Sequence, residues 1–522
     1  MAHLIELVVA LGSVLVLAIS SLLWKLAAHR RRFQDLPKPP HSFLFGHLLL
    51  FLKVARQFPA KIPIAVVISR IQTLYQLPDL FYLDMWPLTD GFMVTGDRIV
   101  ANQFLNDYPR HPLVLKEALQ PLVGGTRGLV SPDLSEWHSS RTTMRSVFSV
   151  TNVQRFVPNM AQYSMQLRQA LLQRAKAGKS FPMIEPVEKW GADLTFCYLL
   201  GEDTGVQKGG WGAEANAQVQ ELVAQADHPF SVNPWTNYQQ KQVRSRCQYR
   251  VRQMILTALI GALNQEKPVV DGEYLALIDS LAAKYREEYP GRTEWDADTL
   301  AQHVDTLATL FLAADVSSMV LTYVFCHIAQ DPEVAAELRK EHNAVFPGDA
   351  QTTLDALRQN PSKIKELPYT TAVIKESMRL RPPGLSGTLA PNGHTVNFKG
   401  TEHSLDGLFL FTNLFRLQSN NAYTSSPQSF DPTRWLPQPS TELADSWRPF
   451  QRGQHSCMGE NMMMPGLVTA LLMTVRDVDV ALAYDDGDIR LSPELGGVAY
   501  MEGNFAAKPA RGLPVLLTAL AQ

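Results

Sequence analysis

The sequence predicts a mainly α-helical protein with small β-sheets, preceded by an N-terminal transmembrane helix. Three observations lead there. Apolar residues recur at helical spacing over long stretches, strand-like runs are short and few, and the segment from Leu4 to Trp24 is almost wholly apolar.

That first segment reads LIELVVALGSVLVLAISSLLW. At about 1.5 Å per helical residue it spans the roughly 30 Å hydrocarbon layer of a bilayer. Glu6, its one charge, lies near the outer end, within reach of the headgroups. A cleaved signal peptide is the rival reading, but no Lys or Arg precedes the run and no small-x-small cleavage site comes after it. Lys25, Arg30, Arg31 and Arg32 come next, and the positive-inside rule leaves the chain beyond them in the cytosol. The expectation is one pass through the endoplasmic reticulum membrane, with lipid as a partner of residues 1–24.

Pro37-Lys38-Pro39-Pro40 cannot continue a helix, so residues 25–40 read as a basic, proline-rich hinge. Beyond it there is no repeat, low-complexity tract or long polar linker, and residues 41–522 read as one large domain. Helical periodicity is predicted over Met160–Ala177, Asn216–Gln225, Ser245–Asn264, Leu300–Ala329 and Tyr369–Leu380. The strand candidates are Gly91–Thr95, Thr395–Lys399 and Val515–Thr518.

Composition narrows the function classes. Apolar residues make up 46% and charged ones 19%, an ordinary globular balance that argues against disorder. A net charge of −2 lacks the basic footprint that nucleic acid binding leaves, so no nucleic acid partner is expected. Cys197, Cys247, Cys326 and Cys457 are far apart and form no CxxC pair, which speaks against a disulfide framework or structural zinc. Most of them read as inert core thiols.

Cys457 is the exception because of its surroundings, Trp447-Arg448-Pro449-Phe450-Gln451-Arg452-Gly453-Gln454-His455-Ser456-Cys457-Met458-Gly459. Gly453 permits a tight turn, and Gly459 lets the following helix lie close to a flat partner. At a helix N-terminus the dipole and free N–H groups favour a thiolate, the form of cysteine that ligates iron. Phe450 is placed to cover the sulfur. Two further patterns are weaker alone: Glu376 and Arg379 share a helix face at i, i+3, and Trp137 and Arg141 share one at i, i+4.

Phe450-x-x-Gly453-x-x-x-Cys457-x-Gly459 resembles the cysteine-ligand loop of cytochromes P-450. Phe430-Asp431-Pro432-Thr433-Arg434-Trp435 resembles the family's F-x-P-x-R-W stretch and falls between the Glu376-x-x-Arg379 helix and the cysteine loop, as the family has it. The resemblance implies the cytochrome P-450 fold, heme b (iron protoporphyrin IX) on Cys457, and a structural triad of Glu376, Arg379 and Arg434 that steadies the loop. It also implies that Trp137 and Arg141 face a haem propionate, together with His455, which stands where the family usually has arginine.

The same resemblance places an oxygen-activating cluster in TLFLAADVSSMVLTYVFCHIA, between Thr309 and Ala329. Counting back from Pro332 matches Asp315 to the family acid and Val316 to the expected threonine, so the relay lacks one hydroxyl and Ser317 is the nearest substitute. Asp315 and Ser317 are therefore the catalytic candidates. Phe311, Ala314, Leu385 and Thr388 are the expected substrate-pocket residues. Pro465, eight residues past Cys457, is expected to bend a helix that the family keeps continuous. Glu341–Phe346 and Leu367–Glu376 look like fungal secondary-metabolite members. The implied function is oxidation of a hydrophobic, polyketide- or terpenoid-derived small molecule. Electrons would come from NADPH through NADPH–cytochrome P-450 reductase. Rearrangement, dehydration, ring closure or phenol coupling is the alternative that the missing threonine favours.

Overall fold

The computed structural model describes residues 2–520 apart from 87–88, 90, 107–118, 132, 227–232, 266–271, 385 and 390–391, and leaves the side chains of 2–9, 105–106, 226 and 455 undescribed. In chain order the helices are α1 (Ala2–Arg31), α2 (Leu48–Ala55), α3 (Ile64–Leu74), α4 (Arg98–Asn106), α5 (Leu134–Arg145), α6 (Val150–Ala177), α7 (Ile184–Leu200), α8 (Trp211–Ala226) and α9 (Pro234–Asn264). They continue with α10 (Leu277–Glu288), α11 (Ala297–Phe311), α12 (Ala313–Gln330), α13 (Pro332–Val345), α14 (Ala350–Gln359), α15 (Pro368–Leu380), α16 (Leu414–Gln418), α17 (Thr441–Ser446) and α18 (Glu460–Thr474). Strands are short: β1 (Leu80–Leu83), β2 (Gly91–Thr95), β3 (Phe181–Pro182), β4 (Ser386–Leu389), β5 (Thr395–Phe398), β6 (Thr401–Ser404), β7 (Leu408–Thr412), β8 (Val478–Leu482), β9 (Met501–Glu502), β10 (Lys508–Pro509) and β11 (Pro514–Ala519).

The chain divides into two compact units. The first comprises residues 1–59, 64–109 and 386–417. Its sheet runs β1-β2-β7-β4, with β2 and β7 parallel and the other pairs antiparallel. Phe33, Leu80, Tyr82, Met93, Phe104 and Leu410 are buried together beneath it. The β5–β6 hairpin turns through Lys399 and Gly400, both at positive φ. Among the described residues, two apolar helical stretches are long enough to cross a membrane: Ala10–Arg31, 6% buried, and Ala297–Gln330, 78% buried. The burial separates them, the first a candidate membrane span and the second a helical stretch of the core. Helix α1 continues through Lys25 and Arg30, so the expected hinge begins as helix and becomes extended only near Pro37. Arg30 closes it by pairing with buried Asp84 and donating to the carbonyls of Phe43 and Leu44, both at 3.0 Å.

The second unit holds residues 60–63, 110–385 and 418–522. Helix α18 packs along α6, and α12 along α7. Gly191 permits the second approach, because a Cβ there would lie 2.4 Å from Ser318 Oγ and 2.8 Å from the Ala314 carbonyl oxygen. Caps fix the ends: Ser149 accepts from Asn152 N at the start of α6, and Asp331 from Glu333 N and Val334 N at the start of α13, where Pro332 takes the first helical position.

The stretch expected as one helix from Leu300 to Ala329 is two, α11 and α12, separated at Leu312. The Asp315 amide donates to Leu312 O at 3.2 Å, three residues back, in place of the usual four. Ser317 Oγ and Ser318 Oγ donate to the carbonyls of Ala313 and Ala314, competition that weakens a helix where it occurs. Helix α18 runs from Glu460 to Thr474 with Pro465 inside it, and Thr469 Oγ1 donates to the Pro465 carbonyl at 2.7 Å.

Candidate active site

The loop from Phe450 to Gly459 returns on itself before α18. Gly453 has φ of 74° and Gln451 60°, and the Cys457 amide donates to Phe450 O at 2.8 Å, closing the turn. Of the four cysteines, Cys197, Cys247 and Cys326 are buried and Cys457 is exposed. Burial pushes the Cys326 thiol up to about 12, as befits an inert core thiol. A cavity of about 440 Å³ opens at Cys457, lined by Arg141, Arg145, Phe148, Ser456, Met458 and Asn461 among others.

Cys457 precedes the first turn of α18. Its accessible surface faces the cavity, and the protein packed around the sulfur desolvates the thiol and raises its pKa, while backbone N–H groups of Gly459 and Glu460 and the Arg141 guanidinium oppose the rise. Arg141 Nη1 donates to Ser456 O at 3.0 Å, and its guanidinium lies 5.3 Å from the centre of the buried Trp137 ring. Phe450 is buried, with its ring 5.9 Å from that of Trp447. The structure thus brings together Trp137, Arg141, Phe450, Gly453, Cys457 and Gly459. The backbone of His455 completes the short turn Gly453–His455, and its side chain lies outside the described residues.

Behind the loop, Arg379 Nε and Nη2 grip both oxygens of Glu376 at 2.9 and 2.8 Å. Arg434 Nε reaches Glu376 Oε1 at 2.9 Å and Trp435 Nε1 reaches Oε2 at 3.0 Å. Glu376 and Arg379 are fully buried, and the remaining Arg379 donors go to the carbonyls of Gln418, Pro427 and Ser429. Gln418 carries this network to the cysteine loop. Its amide donates to Met378 O and Arg379 O, and its carbonyl oxygen accepts from Arg448 N at 2.8 Å. Sequence patterns do not single out Gln418, because a glutamine about forty positions from its partners leaves no local period.

Helix α12 sorts its residues by face. Ala313 is exposed and Val316 half-buried, whereas Phe311 and Ala314, expected in a pocket, turn the other way. Phe311 stacks on Phe196 of α7 with ring centres 4.2 Å apart, and Ala314 lies against Gly191. Their neighbours Ala313 and Val316 hold the accessible face instead. Asp315 is not a lone acid: Lys508 Nζ lies 2.8 Å from its Oδ1. Ser317 is buried with its hydroxyl on the Ala313 carbonyl at 3.1 Å. Thr388 is buried in β4, its hydroxyl without a partner among the described residues, and Leu385 lies outside them.

A sequence profile described as Cytochrome P450, written P-450 here, matches residues 92–505. The chain belongs to the cytochrome P-450 family. It is 26% identical to the cytochrome P-450 monooxygenase ptmJ of Penicillium ochrochloron, over 96% of this chain and 95% of that one. It is also 26% identical to the cytochrome P-450 monooxygenase polC of Polytolypa hystricis, over 90% and 86%. The crystal structure of the cytochrome P-450DA heme domain shares the fold, with a TM-score of 0.71 and 15% identity over 93% of this chain and 97% of that one. The protein is a P-450 monooxygenase, and family and fold imply a haem cofactor. The donor set suits an iron porphyrin: one accessible thiol, two N–H groups on its sulfur, and a guanidinium with donors to spare beyond Ser456 O.

Proposed function

We propose that this P-450 is anchored in the endoplasmic reticulum membrane by residues 1–24, is joined through residues 25–40 to a cytosolic domain of residues 41–522, and oxidises a hydrophobic polyketide- or terpenoid-derived secondary metabolite. Electrons come from NADPH through NADPH–cytochrome P-450 reductase. The observation that carries the reading is Cys457, exposed at a cavity with the Gly459 and Glu460 N–H groups on its sulfur.

When bound, an iron porphyrin supplies reductive activation of dioxygen. The protein's own groups do the rest. The two N–H groups hold negative charge at Cys457 Sγ, and Phe450 keeps water from it. Arg141, anchored by Ser456 O and lying over Trp137, offers its other N–H donors to a propionate, a role that the resemblance also gives to His455. Glu376, Arg379 and Arg434 hold the segment before the cysteine loop, and Gln418 passes that constraint to Arg448. Asp315 and Ser317 are the proton-handling groups of α12.

Val316 supports a second reading, rearrangement, dehydration, ring closure or phenol coupling without net oxygen insertion, because the half-buried position beside Asp315 carries no hydroxyl. Incubating membranes holding the full chain and reductase with candidate intermediates separates the two. Oxygen gain that needs NADPH supports oxidation; hydrogen loss or an isomer supports the second. The reduced carbon monoxide adduct should show the red-shifted band of a thiolate ligand, and Cys457→Ser should lose it. A band at the imidazole-ligated position in the native chain would overturn both.

A further inference from the structure

Lys508, in β10, lies just past the residues that the family profile matches, yet its ammonium group donates to two side chains and forms an ion pair with a third. Glu188 Oε1 of α7 lies at 2.6 Å, Gln220 Oε1 of α8 at 2.8 Å, and Asp315 Oδ1 of α12 at 2.8 Å. Asp315 is wholly buried, while the side chains of Lys508 and Glu188 keep 23% and 18% of their exposure, so the cluster runs from a closed end to an end that solvent reaches. Two carboxylates share one cation there. If all three groups were ionised, one negative charge would remain in a poorly solvated place, an arrangement relieved by keeping one proton on the pair. Glu188 stands at the end that solvent reaches, so it is the member of the pair placed to take up a proton and pass it on, and burial pushes its pKa up despite Lys508. For Lys508 burial acts downward, but Asp315 and Glu188 outweigh it and the ammonium is stabilised.

We propose that Lys508 is a positioning residue that fixes the Asp315 carboxylate, and that Glu188 feeds protons to Asp315 through it. The Lys508 N–H bond facing Asp315 breaks as an O–H bond forms at Asp315 Oδ1, and the Glu188 O–H bond breaks as N–H re-forms on Lys508. The net change is one proton moved from Glu188 to Asp315, and Glu188 is reprotonated from solvent. The route accounts for the family hydroxyl missing at Val316: supply enters from the α7 side of α12, where Ser318 and Gly191 hold the two helices together. The inference rests on the proposed function, in which Asp315 handles protons.

The test uses full-length holoenzyme in membranes. Glu188→Gln keeps the shape and the Lys508 contact but cannot hold the transferable proton. It should remove a protonated-carboxyl C=O band, sensitive to deuterium, from the infrared spectrum of the resting protein. It should also lower kcat about tenfold with KM little changed, raise peroxide released per NADPH and enlarge the solvent isotope effect. Lys508→Met should do the same in turnover, whereas Lys508→Arg, which keeps the charge beside Asp315 but does not release a proton, should restore haem content and folding and leave the coupling defect. If Lys508→Met does not fold, Glu188→Gln alone decides. A thiolate-type carbon monoxide band in every variant, with coupling and isotope effect equal to the native values, would overturn the inference and leave the proposed function standing. Absence of that band from the native protein would instead remove the proposed function.

Discussion

The loop bearing Cys457 and the helix α12 are both read from family patterns, but they are secured in opposite ways. The loop is fastened by charge. Glu376, fully buried, takes donors from Arg379, Arg434, Trp435 and the Asp431 amide, and Arg379 spends its other donors on backbone carbonyls. Helix α12 is fastened by close packing on α7 at Gly191, with a break from α11 at Leu312 just before it and the ion pair Asp315–Lys508 at its start. A saturated ionic network tolerates few substitutions, because each loss strands a buried charge. Packing tolerates volume-conserving ones. This fits a chain in which the ionic cluster around Glu376 is complete while α12 carries Val316 where the resemblance expects threonine.

The largest expected effect lies on the ionic side. Glu376→Ala leaves two guanidinium groups and an indole N–H facing a cavity, and should cost about 3–5 kcal/mol of stability. Denaturant midpoints and haem content should fall together. Glu376→Ala with a midpoint near the native one would place the loop's support elsewhere.

Acid should find a weak point between the two regions. His327, near the end of α12, stacks on Phe430 with ring centres 4.4 Å apart, and its Nδ1 lies 3.0 Å from Ser377 Oγ. Burial, with Arg381 and Arg379 nearby, lowers its pKa to about 3. The folded pKa is below the unfolded value of about 6.5, so the unfolded chain takes up the proton first. Stability from this group is therefore complete above about pH 6.5 and is lost as pH falls toward 3, at up to about 1.4 kcal/mol per unit. His327→Asn should flatten the stability profile across that window, measured by urea midpoints at successive pH values. An unchanged slope would assign the acid lability to the other buried histidines.

What could be read from the sequence divides in the same way. The cysteine loop and the Glu376–Arg379 pair were legible because their residues are neighbours, at spacings set by one turn or one helical repeat. Arg434 was legible only through the resemblance. Gln418 and Lys508 were not legible: each meets its partners across tens to hundreds of positions, and no period marks a contact made by folding. The break at Leu312 was hidden because apolar spacing continues through it, and the serines that weaken the ladder look like ordinary helix residues. That Phe311 and Ala314 pack toward α7 was hidden for a related reason. Helical spacing says which residues share a face, but which face meets α7 depends on Gly191, more than a hundred residues away.

The smallest effect on stability, and the sharpest test of the contrast, is Val316→Thr. The side chains are nearly equal in shape and the position is half-buried, so the change should alter stability by no more than about 1 kcal/mol. A threonine there can also satisfy its hydroxyl on the carbonyl four residues back, Leu312, as Ser317 and Ser318 do with theirs. Its consequence should appear in chemistry. A hydroxyl restored beside Asp315 gives a second way for protons to arrive, so less NADPH should be lost as peroxide per product formed, with product identity unchanged. Ser317→Ala is the matched comparison: it removes a proton-handling hydroxyl that also donates to the Ala313 carbonyl, so it should raise peroxide release, and by less than Val316→Thr lowers it. Equal effects of the two substitutions would mean that the face of α12 does not decide which hydroxyl counts. A changed product with Val316→Thr would mean that valine selects the reaction and does not merely fill space.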